Sequence, residues 1–423
     1  MYLRGSKWDL RKKRRRSRPW RILLLLILVV GAVYVWQIYI PTVPPLFIPT
    51  LTPTRSPASF VLEAESLFQA GKLSQAEESY LKAIAVSPRE TNYYIELARI
   101  RVFAGNYAEA ETAARDALVI DPNSALAHAV LGWSIDFQAG QEQDPAIKSK
   151  LLDDAMEEAE KALKINPNSA LVNAYYAEIL IDNSITEYGR ALEAAQRSLE
   201  LDPNLLEAYR AMGYVWELTG NRQQALESYQ AAMLLNPNIP RLHIDIANMQ
   251  RALGDIEGAR DSYLNAVALA PTSTEPLSLL VQLYAGVGEF GRASQYAENA
   301  VDLEPTNARL RGNLGRMYYH NNALDEAIVQ LELAIRGGPT EDGVWVEGLP
   351  LNPGDERVIE FYYTYGLALA KTGRCEEAIP IFEALLRGVP ENEIAIYNAQ
   401  EGLILCGQLE RTPTPESEET PAP

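Results

Sequence analysis

The chain has 423 residues, 47% of them hydrophobic, with two Cys, three His and a formal net charge of −18 at pH 7. So few cysteines and scattered histidines exclude the usual Cys/His metal frameworks. The acidic balance excludes nucleic acid as a partner of the body of the chain, because phosphates would be repelled.

The charge is unevenly laid out. Residues 1–21 hold ten Lys/Arg and one acid, a net of +9, so the remainder carries −27. This basic segment, with its run at residues 11–16, precedes nineteen uncharged residues at 22–40. At about 1.5 Å per residue that length crosses a hydrocarbon core of roughly 30 Å. Trp20 at one end and Tyr34, Trp36 and Tyr39 at the other fit interfacial aromatic belts. A basic flank before the span and none after it predicts the amino end in the cytoplasm and the body outside. The span ends in Tyr39-Ile40-Pro41, which offers no small-residue cleavage site, so an anchor is preferred to a signal peptide. The expectation is a single-pass protein of a bacterial cell membrane, with the lipid bilayer as the partner of residues 22–40. Residues 41–57 hold six prolines. They favour an extended spacer that reaches up to roughly 50 Å.

Beyond the spacer a pattern repeats, most clearly at residues 206–237. There Tyr209, Met212, Gly213 and Trp216 fall at steps of three and four and share one face of a first helix. Gly220 permits a tight turn. Ala225, Tyr229 and Ala232 line a second helix, and Pro237 closes it by disfavouring helical geometry at Asn236. Equivalent prolines stand at 88, 122, 167, 203, 271, 305, 339 and 390, and five of the eight intervals equal 34 residues. Asn123, Asn168, Asn204, Asn238 and Asn307 follow these prolines, where they are expected to cap the next helix. One such helix pair leaves an apolar flank uncovered, so copies must stack.

The unit resembles the tetratricopeptide (TPR) repeat, whose signature is W-x2-L-G-x2-Y, then A-x3-F, then P. The resemblance covers most of the chain. It implies an all-α TPR solenoid of about nine repeats in a right-handed superhelix over residues 58–392. The repeats fall at about 57–90, 91–124, 125–169, 170–205, 206–239, 240–273, 274–307, 308–341 and 359–392. The third keeps Leu131-Gly132 but carries eleven extra residues, which are expected to lengthen its interhelix loop and second helix. The fourth departs most, with Asn173 where an aromatic is usual and Ser198 in place of Ala. An insertion at 341–357 has strand character at Val344-Trp345-Val346. Trp345 is read as covering adjacent apolar surface, and a contact element for a partner is the rival reading.

After Pro390, residues 393–410 read as a capping helix, with Ile394, Ile396, Ala399 and Leu403 available to cover the last repeat. Cys375 and Cys406 fall at neighbouring helix ends. Outside the cytoplasm they can oxidise to a disulfide, and two buried thiols are the alternative. Residues 411–423, rich in Thr, Pro and Glu, are expected to be disordered.

No catalytic constellation stands out, so the chain reads as a non-enzyme without cofactor or metal. His128 and His243 take the packing position that Tyr209 holds, and read as structural. The resemblance implies that unit positions 2, 5, 9 and 12 of the first helices line a concave groove. Those positions supply Arg99, Trp133, Arg210, Tyr214, Arg241, Asn248, Arg251, Arg309, Arg316, Tyr319 and Tyr363. Arginines grip carboxylates in a fork, so a protein or peptide with acidic groups fits this lining. The alternative is that Glu207, Glu217 and Glu275 neutralise it. TPR domains that clamp chaperone tails use Lys and Asn at fixed positions. Here Asn248 matches but Ile244 stands in the Lys place, which puts that activity in doubt. The function expected is a membrane-anchored scaffold or adaptor presenting a TPR groove outside the cytoplasm. The alternative is an accessory subunit of an envelope export or polysaccharide-assembly machine.

Overall fold

The computed structural model describes residues 19–39 and 55–410. The basic run, most of the proline-rich spacer and the carboxyl tail lie outside these residues. Two compact units are present, residues 1–55 and residues 56–423. In the first, helix α1 (Pro19–Tyr34) continues through one π-helical turn, Val35–Tyr39. Its side chains are exposed through Gln37, and Pro19–Gln37 is the one helix among the described residues long and apolar enough to cross a membrane.

Among the described residues, the second unit is a stack of nine helix pairs and a final single helix. The pairs are α2/α3 (Pro57–Gln69, Leu73–Val86), α4/α5 (Thr91–Phe103, Tyr107–Ile120) and α6/α7 (Ala125–Gln141, Pro145–Ile165). They continue with α8/α9 (Ala170–Asn183, Tyr188–Leu201), α10/α11 (Leu206–Leu218, Arg222–Leu235) and α12/α13 (Pro240–Ala252, Ile256–Leu269). The last are α14/α15 (Glu275–Gly286, Phe290–Leu303), α16/α17 (Ala308–His320, Leu324–Arg336) and α18/α19 (Glu356–Lys371, Cys375–Gly388). Helix α20 (Glu393–Leu405) ends the stack.

Two local devices shape most pairs, the third and fourth lacking the first of them. The turn between helices needs a left-handed residue: Gly220 has φ 79°, and in the eighth pair Asn322 takes this role at φ 63°. The residue after each donates back to a carbonyl of the preceding helix, Asn221 to Trp216 and Ala323 to Tyr318, which satisfies the open helix end. Inside a pair, a side chain at Gly213 would strike the Tyr229 ring at 2.7 Å, and one at Gly315 would meet Leu331. The Gly and Ala positions of the motif thus set how closely the two helices approach.

The asparagines after the prolines behave differently from expectation. Of the five named, only Asn307 caps a helix, accepting from the amides of Arg309 and Leu310. At 123, 168, 204 and 238 the Asn backbone N–H instead donates to the side chain two residues back, on Asp121, Asn166, Asp202 and Asn236. These are Asx turns that fix the linker. Ser124 and Ser169 supply the caps that follow the first two.

The extra residues of the third repeat also correct the reading. They lengthen both helices, to 17 and 21 residues, with only Glu142–Asp144 between them. The departures in the fourth repeat serve the same linker geometry. Asn173 donates to the Pro167 carbonyl at 2.9 Å, as Tyr94 does to Pro88 and as His128 and His243 pair with the carbonyls of Pro122 and Pro237. Ser198 donates to the Ala170 carbonyl at 2.7 Å.

The insertion forms a hairpin, β1 (Gly338–Pro339) against β2 (Trp345–Val346). Val346 is fully buried, whereas Trp345 is 69% exposed. The alternation of a strand forces that choice, since neighbouring side chains point to opposite faces. Helix α20 buries Ala395, Ala399 and Leu403, but Ile394 stays in solvent. Cys375 and Cys406 are joined as a disulfide with Cα atoms 5.5 Å apart, which ties the end of α20 to the start of α19.

Candidate functional site

First helices of successive repeats pack side by side, and their inward residues form the inner wall of the array. In repeats 2–5 that wall is filled by the protein itself. Trp133 is completely buried, stacked on Tyr175 at 4.2 Å and edge-on to Phe103 at 5.4 Å. Its indole N–H donates to Glu178 at 2.7 Å, and Glu178 also takes an ion pair from the buried Arg210. Arg99 on α4 pairs with Glu207 on α10, three repeats away, and donates to the Tyr175 hydroxyl at 3.3 Å. Tyr214 donates to Asp182 at 2.8 Å.

Trp133 and Arg210 are therefore corrections to the groove assignment. They are 0% and 2% exposed and face their own chain. The same positional rule selects Asp136, Glu178 and Glu207, three acids of the first helices that complete this network. Glu207 is the neutralising acid expected from the sequence, whereas Asp136 and Glu178 carry the same positional signal and are absent from the expected groove. Acids outnumber arginines here: Asp136, Glu178, Asp182, Glu207 and Glu217 stand with Arg99 and Arg210. Burial, with Asp182 and Glu178 nearby, holds the Asp136 carboxyl well above the usual carboxylate range. Burial raises Asp182 too, against the Tyr214 and Asp136 hydrogen bonds. Glu217 is pushed up to about 7, first by burial and then by the charge of Asp245. Tyr229 donates to it at 2.6 Å.

A seam closes this region. Asn236 and Asn238, in the turn after the fifth pair, donate to the carbonyls of Phe68 and Gln69 at 3.3 and 2.9 Å. Gly71 lies against that turn with φ 72°, and a Cβ there would sit 2.3 Å from the Asn238 carbonyl oxygen. Beside the seam is a cavity of about 760 Å³ that Trp133 and Arg210 border together with Tyr107, Phe137, Arg241 and Glu275.

Repeats 6–9 differ. Arg241, Asn248, Arg251, Arg309, Arg316, Tyr319 and Tyr363 all keep partial exposure, and Gln282 and Glu275 are exposed. Most of these arginines are nonetheless paired: Arg241 with Asp245 at 2.8 Å, Arg309 with Asp355, and Arg316 with Glu360 at 2.6 Å. The neutralising partners are thus Asp245, Asp355 and Glu360, besides the Glu275 and Glu207 named from sequence. Among the described residues Arg251 and Lys371 stand outside any ion pair. The Lys371 ammonium lies 4.3 Å from the Tyr319 ring centroid. Asn248 accepts from Tyr263 at 2.6 Å. Burial, with Arg316 and Lys371 near, holds His320 below its ordinary pKa. Its ring stacks on Phe290 at 4.7 Å.

The tetratricopeptide-repeat family model matches residues 61–125, 219–274 and 279–342. The chain carries tetratricopeptide repeats over these segments. Among solved structures, human IFIT1, a dimer with PPP-AAAA, is similar at 17% identity and a TM-score of 0.53, over 81% of each chain. A thermophilic TPR protein of Thermus thermophilus shares 18% identity over 46% of this chain and 98% of its own, at a TM-score of 0.39. At 17% identity the likeness to IFIT1 is one of fold. No curated protein matches the sequence significantly. TPR repeats mark the array as a protein–protein interaction scaffold.

Proposed function

We propose that this protein is a membrane-anchored scaffold whose partner lies along the first helices of repeats 6–9. The apolar helix Pro19–Gln37 supports the anchor, with the repeats outside the cytoplasm as the basic flank implies. One contrast carries the choice of face: in repeats 3 and 4 the inner positions, Trp133, Asp136 and Glu178 among them, are buried by the chain's own side chains, whereas Glu275 and Gln282 are exposed and Arg251, Arg309, Tyr319 and Tyr363 stay half-buried. Two cations outside any ion pair among the described residues, Arg251 and, against the Tyr319 ring, Lys371, favour an extended protein segment with acidic side chains. The PPP-AAAA held by IFIT1 is a poor model for this chain, whose inner wall in repeats 2–5 has five acids, Asp136, Glu178, Asp182, Glu207 and Glu217, against Arg99 and Arg210.

The test places a photo-crosslinking residue at Gln282, at Tyr319 and, as a control, at the exposed Leu234 of the second helices, in native membranes. Discrete adducts from 282 and 319 but not 234 are expected. Adducts from 234 alone would overturn the choice of face. Protease added to intact cells should remove the array from its anchor, and protection of the array would refute the orientation.

A further inference from the structure

The hairpin at 338–346 interrupts the 34-residue period, and only half of the insertion has a structural task. Val346 is fully buried, the Leu349 carbonyl accepts from Tyr362 at 3.0 Å, and Asp355 caps α18 and pairs with Arg309. The other half projects. Trp345 is 69% exposed, and Glu341, Asp342 and Glu347 beside it are exposed and join no ion pair among the described residues. Arg336, the nearest cation in sequence, is engaged with Glu332 at 3.2 Å and lies 5.5 Å over the Tyr365 ring.

This projection is held stiffly. The Thr340 N–H donates to the Val344 carbonyl at 2.8 Å, and the Val344 N–H returns to the Thr340 hydroxyl at 3.0 Å. At the foot, Gly337 and Gly348 lie so close that a Cβ on Gly348 would be 2.6 Å from the Gly337 nitrogen. Leu349 then donates to the Ala334 carbonyl at 2.9 Å. A tryptophan presented on a fixed hairpin loses little conformational freedom on binding, and Trp is among the residues most enriched in binding hot spots.

We propose that the hairpin is a docking peg: Trp345 enters an apolar slot on a second protein whose rim is basic and faces Glu341, Asp342 and Glu347. Charge complementarity selects that partner, since three unpaired carboxylates disfavour an acidic surface and the anionic surface of a bilayer alike. The peg needs a partner protein but not the groove of repeats 6–9.

The full chain labelled with 5-fluorotryptophan, its Trp345 resonance assigned through W345F, would be titrated with a short amphipathic Lys/Leu peptide and its Glu/Leu counterpart. The resonance should respond to the basic peptide at about tenfold lower concentration, roughly the weight of one hot-spot contact. The triple variant E341Q/D342N/E347Q should abolish the preference. Phosphatidylglycerol vesicles should leave the resonance unmoved. Equal response to both peptides, response to vesicles alone, or no response would overturn the peg. Crosslinking from Gln282 in the W345A chain keeps the two readings apart. Adducts there with a silent Trp345 sink the peg alone, and a responsive Trp345 without those adducts sinks the groove alone.

Discussion

Position nine of the first helix is Glu178 in repeat 4 and Gln282 in repeat 7. Glu178 is 1% exposed, joined to Trp133 and Arg210, whereas Gln282 lies in solvent. The two repeats share one unit and nearly one length, so the unit does not explain the difference. What separates them is what stands opposite. In the first half, Arg99 of repeat 2 reaches Glu207 of repeat 5, and the turn at 236–238 meets the turn at 68–71. In the second half some inner positions, Glu275 and Gln282 foremost, look onto solvent. A repeat stack thus makes a packed interior where its ends come round to touch and a usable surface where they do not.

The largest expected break of this contrast is Glu178→Ala. It strands the buried Arg210 and should cost about 3–5 kcal/mol in denaturant unfolding. Loss of the Cys375–Cys406 disulfide in C375S/C406S comes next. Opening a link across a sequence separation of 31 should cost about 3 kcal/mol. Its signature is faster hydrogen exchange over residues 393–405, with residues 91–218 unchanged. Gly71→Ala attacks the seam through both its positive φ and the 2.3 Å approach to Asn238, so it should exceed the roughly 1 kcal/mol of an ordinary Gly replacement. Exchange should rise at 57–86 and 236–239 and not at 308–405.

The pH dependence sharpens the same comparison. Glu217 titrates near about 7 in the fold, and a glutamate in an unfolded chain near about 4.3. The folded chain therefore holds extra protons between those values, and stability falls as pH rises from about 4.3 to 7 and levels above. Asp136 and Asp182 act in the same direction. Melting of the first half should therefore drop across this window while α18–α20 change little. The smallest effect is Arg309→Ala in the open half. With the arginine 43% exposed, breaking its pair with Asp355 should cost below about 1 kcal/mol.

Much of this was legible in the chain. The Gly220 turn, the Gly213 contact and the closing prolines are local rules, and each acts within a few residues of its signal. Asn123, Asn168, Asn204 and Asn238 misled because Asn serves N-caps and Asx turns with the same side chain, and the serines that follow two of them take the capping role. Trp345 misled because a single strand has two faces, and which one is buried depends on what the hairpin lands against. Arg210 and Trp133 misled for a larger reason: groove positions are exposed only if nothing lies across the groove.

The amino-acid sequence by itself determined the unit, its period and a membrane-length apolar helix, because caps, turns and helical periodicity are settled between near neighbours. The tertiary structure decided which copies of the unit face water. A small rotation at each step, summed over five repeats, brings Asn236 and Asn238 to Phe68 and Gln69, 168 and 169 residues away. No short-range signal encodes that sum.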